Sequence, residues 1–116
     1  MRLAIVGSRK IKNIDLREYI KDLGEQPDVI VSGGANGVDT LAAEYAKGNG
    51  IELVVIRPDY DRYGRAATHI RNRQIVEQAD AVLAIWDGES RGTLSTINSA
   101  RRLQKMMKVV KIDTSA

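Results

Sequence analysis

The residues able to do chemistry fall in a few short stretches. Ser32-Gly33-Gly34-Ala35-Asn36-Gly37 precedes a segment with helical apolar spacing. Glycine there permits positive φ and lets an anion approach the backbone N–H groups with no Cβ in the way. The helix expected next aims unpaired donors and the positive end of its dipole at the same point, which is the chemistry of a phosphate cradle. A tight turn needs only one or two glycines, so the richer loop favours phosphate. No Gly-Lys-Ser/Thr closes the stretch, and Ser32 stands where a G-x-G-x-x-G would begin. Kinase, ATPase and ordinary dehydrogenase chemistry lose support accordingly.

Asp87-Gly88-Glu89-Ser90-Arg91-Gly92-Thr93 precedes another helical pattern. Ser90 or Thr93 can cap that helix. Two hydroxyls, a glycine and an arginine at a helix N-terminus also make a second anion cradle, and the two roles are compatible. The segment from Arg57 to His69 exceeds the roughly two to six residues usual between strand and helix. It carries Arg57, Arg62 and Arg65 with Tyr60 and Tyr63. Aromatics able to stack a base beside cations suggest a lid; a solvated loop is the alternative.

Arg71 and Asn72 share a helical face with Ile75, Val76 and Ala79, so both turn toward the sheet near a helix start. An inward arginine is costly without an anion. Its partner is Asp39, Asp59 or Asp87, or a ligand phosphate, and the phosphate is favoured. His69 lacks an evident acidic orienter and reads as structural. Trp86 reads as core or pocket wall. Met106 and Met107 read as the end of an amphipathic helix. Arg101, Arg102, Lys105 and Lys108 read as a solvated face that also offsets a helix C-terminus.

The elements that must position these groups follow from the hydrophobic pattern. Leu3–Val6, Val29–Val31, Leu53–Ile56 and Ala81–Trp86 are continuous apolar runs, as in parallel strands covered on both faces. Val109–Ile112, broken by Lys111, reads as an edge strand. Helical stripes lie between them: Leu16, Tyr19, Ile20 and Leu23; then Val38, Leu41, Ala42, Tyr45 and Ala46; then Ile75, Val76 and Ala79; then Leu94, Ile97 and Leu103. The alternation predicts an α/β fold: a single Rossmann-like, doubly wound parallel sheet of five strands with helices on both faces, over residues 1–116. Helix-to-strand connections are bland, such as Gly48-Asn49-Gly50. Every chemistry-bearing stretch lies on the strand-to-helix side, at the carboxyl edge where open sheets bind ligands.

Bulk properties narrow the classes. A chain of 116 residues, 43% hydrophobic and 28% charged, has the composition of one globular domain. It has no cysteine and one histidine, which excludes a disulfide framework and leaves almost no ligands for a structural metal. A net charge of +3 suits an anionic small ligand or weak nucleic-acid contact. The apolar run after Met1 and Arg2 is too short for a signal-peptide core, so cytoplasmic residence is expected, with no membrane partner.

Gly7-Ser8-Arg9, Ser32 through Asp39, Arg71-Asn72 and Trp86 through Thr93 together resemble the SLOG superfamily, in particular its small stand-alone YspA-like, YpsA-related members. The resemblance implies a Rossmann-like nucleotide-binding domain, in several branches a sensor of nucleotide-derived signals. It places ligand contacts at Gly7, Ser8, Arg9, Gly33, Gly34, Asn36, Gly37, Asp39, Arg71, Asn72, Asp87, Ser90, Gly92 and Thr93. The expected ligand is nucleotide-like; no other cofactor and no metal is expected. Relatives are often homodimers or larger.

The cytokinin-activating phosphoribohydrolases are similar through Ser90-Arg91-Gly92-Thr93 and Arg71. That implies N-glycosidic hydrolysis of a nucleoside phosphate, but Thr96 stands where their glutamate falls. Asp39, Asp87 or Glu89 would have to substitute. The DNA-processing protein A family is similar through Ser32–Asp39 and Arg71-Asn72-Arg73-Gln74-Ile75, which implies single-stranded DNA binding. An aromatic content of 4%, without phenylalanine, offers few stacking platforms for a strand.

Overall fold

The computed structural model describes residues 1–114; of the expected domain, Ser115 and Ala116 lie outside the described residues. Strands β1 (Arg2–Gly7), β2 (Val29–Ser32), β3 (Glu52–Val55), β4 (Ala81–Trp86) and β5 (Met106–Lys111) form one parallel sheet in the order β3-β2-β1-β4-β5. The helices are α1 (Leu16–Lys21), α2 (Val38–Gly48), α3 (Tyr60–Tyr63), α4 (Ala67–Glu77) and α5 (Arg91–Arg102), with a 3-10 turn at Gly64–Ala66.

The continuous apolar strands serve two cores, because successive side chains point to opposite faces. Leu3, Ile5, Ile30, Leu83 and Ile85 pack with Leu16 and Ile20 of α1 and Val38, Ala42 and Ala46 of α2. Ala4, Val6, Val31, Val82 and Ala84 pack with Ile75 and Val76 of α4 and Ile97 and Ala100 of α5. The register holds the alternation: Leu3 lies opposite Ile30 and Ala81, and Ile5 opposite Leu83. The doubly wound architecture read from the alternation is therefore present.

The strand order sets the place of the site. From β1 the chain moves outward through β2 and β3, then returns to place β4 on the other side of β1. Loops leaving β1 and β4 diverge to opposite faces, which opens a crevice at their carboxyl ends.

Some local expectations change. Met106 and Met107 begin β5 instead of closing a helix, and Met106 is 74% exposed. The helix stops at Arg102 because Gln104 takes a left-handed φ of 55° and Lys105 N–H donates back to the Ala100 carbonyl. Lys108 consequently lies on the edge strand, where its ammonium reaches Asp22 at 3.2 Å. Leu94 is 38% exposed; the buried stripe of α5 runs instead through Thr93, Thr96, Ile97 and Ala100. The segment after Arg57 contains α3 and the 3-10 turn, and none of Arg57, Tyr60, Arg62, Tyr63 or Arg65 lines the crevice.

Candidate functional site

A cavity of about 430 Å³ occupies the crevice. Gly7, Arg9, Gly33, Asp39, Arg71, Asn72, Asp87, Ser90, Gly92 and Thr93, all expected from the sequence, line it together with Glu89. Ser8, Gly34, Asn36 and Gly37 do not. Val6, Lys10, Ala35, Thr68, Ile75 and Thr96 complete the wall. Of these, Thr68 could have been found from helical spacing, since it precedes Arg71 by one turn. Lys10 directly follows the Gly7-Ser8-Arg9 stretch.

Arg71 is the centre of the site. It is 8% exposed and donates from Nη1 to the Gly33 carbonyl at 2.8 Å and from Nε to Asn72 Oδ1 at 3.0 Å. Asn72 Nδ2 in turn donates to the Gly92 carbonyl at 3.4 Å, which also accepts from Thr96 Oγ1 at 3.1 Å. One polar chain thus links the end of β2 to the first turn of α5 across the crevice. Among the described residues Nη2 of Arg71 makes no hydrogen bond. No buried side-chain nitrogen or oxygen among them is left unpaired, so Nη2 is open to the cavity that Arg71 lines.

Asp39 stands on the other side of Gly33. A Cβ at Gly33 would lie 2.8 Å from Arg71 Nη1 and 3.1 Å from Asp39 Oδ2. The carboxylate accepts from the Ala35 N–H at 3.0 Å and so orders the glycine loop. No ion pair within 4.0 Å joins Asp39 to Arg71. Burial pushes the Asp39 carboxyl above its ordinary value, against the Ala35 N–H and the charges of Arg71 and Arg9. Burial likewise holds the Arg71 guanidinium below its ordinary value, with Asp39 opposing. Arginine stays charged under such shifts, so an anion arriving at Nη2 meets a cation whose charge is only partly balanced.

The glycine loop has a different task from the one its sequence suggested. Gly34 N–H is directed at Ser32 Oγ at 3.4 Å, and Ala35 N–H is taken by Asp39. Gly37, at φ 71°, packs so closely under the preceding loop that a Cβ would lie 2.5 Å from the Ser8 carbonyl oxygen. Val38 N–H, in the first turn of α2, donates to that same carbonyl at 3.4 Å. These glycines allow close packing of two loops, and the N–H groups of Gly34, Ala35 and Val38 are spent on acceptors within the protein at Ser32, Asp39 and Ser8.

The first turn of α5 is more open. Ser90 caps it: its Oγ accepts from Thr93 N–H at 3.3 Å and pairs with Thr93 Oγ1 at 3.0 Å. Asp87 Oδ1 accepts from Glu89 N–H and Ser90 N–H, each at 2.8 Å. The Ser90 N–H above all holds the Asp87 carboxyl below its ordinary value, with Glu89 N–H and the Ser8 hydroxyl adding to it. Ser8, 1% exposed, lies beneath the crevice, and its Oγ accepts from Asp87 N–H at 3.1 Å. It ties the β1 loop to the β4 loop at the switch point. Trp86 supports the same turn by donating from Nε1 to the Ser90 carbonyl at 3.0 Å. His69 lies outside the cavity, with Nδ1 2.9 Å from Ser95 Oγ, linking α4 to α5.

Chemically, the site joins a buried cation with a free donor to a helix N-terminus, both facing one cavity. Arg9 and Lys10, both exposed, add charge at the rim. Asp39, Asp87 and Glu89 are the carboxylates present, and the first two already hold loop N–H groups. Thr96 occupies the α5 position next to them with its hydroxyl committed to the Gly92 carbonyl. Among the described residues no cluster of three or more histidine, aspartate or glutamate side chains could hold a metal, and no helix is long and apolar enough to cross a membrane.

A family model, YAcAr, described as the YspA, cpYpsA-related SLOG family, matches residues 1–63. Among solved structures the chain is similar to DNA processing protein A from Helicobacter pylori, described for its unique single-stranded DNA binding mode. Identity there is 22% and the TM-score 0.74, covering 99% of this chain and 67% of that one. It is similar also to DNA processing protein A from Streptococcus pneumoniae, with 22% identity and a TM-score of 0.72, covering 98% of this chain and 51% of that one. The present chain therefore spans 67% and 51% of the length of these two proteins, and the likeness is one of fold. No curated protein matches the sequence.

Proposed function

The chain belongs to the YspA, cpYpsA-related SLOG family, and on that premise we propose that it binds a small, phosphate-bearing, nucleotide-like ligand in the crevice between β1 and β4. The observation that carries this reading is Arg71, buried to 8% exposure with Nη2 unpartnered among the described residues, on the wall of the cavity. A buried guanidinium is stabilised most by a bidentate anion, and phosphate fits its fork. The N-terminus of α5 supplies the second anchor, with Ser90, Gly92 and Thr93 in its first turn. Gly33 leaves room beside Arg71, Gly7 forms the floor, and Arg9 and Lys10 attract the anion from solvent. A volume of about 430 Å³ lies within the roughly 300–1,000 Å³ of small-molecule sites.

A thermal-shift panel of nucleotides, cyclic nucleotides and sugar phosphates tests the proposal. A ligand at about a hundred times its dissociation constant adds roughly 2.7 kcal/mol, or about 8 °C for a domain of this size. A panel with no shift would remove the reading. Cytoplasmic residence and a homo-oligomeric state are part of the same proposal; sedimentation with and without ligand tests the latter.

Single-stranded DNA is the second reading, supported by the fold shared with DNA processing protein A. The exposed cations Arg9, Lys10 and Arg91 beside the crevice are compatible with a phosphate backbone. The two readings separate by salt: strand binding falls steeply and linearly on logarithmic axes, whereas a mononucleotide held by one buried arginine has a shallow dependence.

A further inference from the structure

Among the described residues, the cavity wall carries as many carboxylates as cations: Asp39, Asp87 and Glu89 against Arg9, Lys10 and Arg71. With every group ionised, an arriving anion meets a wall whose formal charge is already balanced. The groups differ in depth. Arg9, Lys10 and Glu89 are exposed, where solvent and salt screen them. Asp87 accepts from the Glu89 and Ser90 N–H groups, which stabilise its ionised form. Of the three carboxylates only Asp39 is buried, to the same 8% exposure as Arg71.

Asp39 Oδ2 and Arg71 Nη1 lie 3.1 and 2.8 Å from the one point that a Cβ at Gly33 would occupy. An anion seated on the guanidinium therefore shares a buried wall with this carboxyl, and like charges repel strongly where water is scarce. The charges around Asp39 come from several elements. Arg71 of α4 and Arg9 after β1 act on the carboxyl directly. Arg57, beyond β3, reaches the glycine loop through the Gly34 carbonyl, and Lys12 lies beside Asn36 and Thr40 on the outer side of that loop. His69, the one histidine, lies outside the cavity.

Burial favours the neutral carboxyl, and the nearby cations oppose it. An anion on Arg71 removes part of that opposition. Protonation then turns an acceptor into a donor: Oδ2 keeps the Ala35 N–H, while Oδ1 carries the proton and offers an O–H to an oxyanion.

We propose that the crevice takes up its anion together with a proton, held on Asp39 Oδ1, so that affinity rises as pH falls; this rests on the anion-binding role given to Arg71 above. By reciprocity the bound anion holds that proton more tightly, and the two bind cooperatively.

Sulfate is the probe, because it stays divalent where a phosphate ester itself titrates, near about pH 6. NMR titration of the full chain with sodium sulfate at constant ionic strength, from about pH 4.5 to 7.5, spans the range between ordinary carboxylates and neutrality. Wild-type affinity should rise about tenfold or more toward the acid end, with a slope no steeper than about tenfold per pH unit, the limit for one proton. Asp39→Asn, a neutral isostere, should show the wild type's acid-end affinity at every pH. A flat wild-type profile, or a variant that keeps the wild-type slope, overturns the proposal and leaves the anion site standing. So does a variant that binds more weakly than the wild type at the neutral end, since the carboxylate would then assist binding. Should the variant not fold, carbon NMR of the wild-type Asp39 carboxyl decides instead. Sulfate must move its titration midpoint upward, and an unmoved midpoint overturns the coupling. If the wild type binds no sulfate at any pH, the anion site on Arg71 fails and the coupling fails with it.

Discussion

Arg71 and Asp39 flank Gly33, and a single Cβ at that glycine would lie 2.8 Å from the guanidinium and 3.1 Å from the carboxylate. Both side chains are buried at 8% exposure, yet they are not within ion-pair distance. The arginine bonds to carbonyls and an amide, the aspartate to a backbone N–H. The arrangement holds an incompletely neutralised cation at the cavity wall. Gly33→Ala therefore has a defined expectation. The new methyl displaces Nη1 from the Gly33 carbonyl, with a stability loss of about 1–3 kcal/mol for overpacking and weaker anion binding. Denaturant unfolding together with phosphate-ligand titration checks both; unchanged ligand affinity would detach Arg71 from binding.

Asn72 accepts from Arg71 Nε and donates to the Gly92 carbonyl, so it couples the arginine to α5. Asn72→Ala leaves a charged N–H buried without its acceptor, at a cost of about 1–3 kcal/mol. Ligand affinity should fall with it, because the guanidinium is no longer held in its plane. Urea unfolding reads the first effect and calorimetry the second.

The Asp39 carboxyl has a raised pKa in the folded chain, chiefly through burial. Unfolded aspartate titrates near pH 3.9, so above that value the folded chain keeps a proton that the unfolded chain has released. Stability from this group is complete below the unfolded pKa and is lost as pH rises through the folded one. Asn at this position keeps an acceptor for Ala35 N–H without the charge. Wild-type stability relative to Asp39→Asn should consequently decline as pH increases from about 4. Denaturant midpoints across that window decide the sign; a rise of the wild type relative to the variant contradicts the assignment.

Ser90 caps α5 through Thr93 N–H and also faces the cavity. Ser90→Ala should cost about 1 kcal/mol as a lost cap, whether or not a ligand is present. If Ser90 Oγ also binds the ligand, the loss measured at saturating ligand exceeds that measured without it. Thermal melts under both conditions separate capping from contact.

Much of this was legible in the sequence. Continuous apolar strands alternating with amphipathic helices imposed the doubly wound sheet, and helical spacing alone turned Arg71 and Asn72 inward. The strand order β3-β2-β1-β4-β5 was the hidden quantity. It decides that Gly33, at the end of β2, meets α4, and so that a carbonyl holds Arg71 instead of a carboxylate. The task of Gly37 was hidden for the same reason, since its neighbour is the carbonyl of Ser8 on another loop. Met106 and Met107 were misplaced because the helix before them stops at Arg102, ahead of a positive φ at Gln104. The usual glycine signal is missing there.

The most direct measurement is the dissociation constant of AMP, with adenosine in parallel, for the wild type and Arg71→Met, each variant first checked for folding by circular dichroism. Adenosine should bind the wild type far more weakly than AMP, and Arg71→Met should weaken AMP by at least about thirtyfold, the loss expected on truncating one partner of a buried charge pair. Adenosine binding as tightly as AMP, or a folded Arg71→Met protein with undiminished AMP affinity, would contradict an anion site built on this arginine.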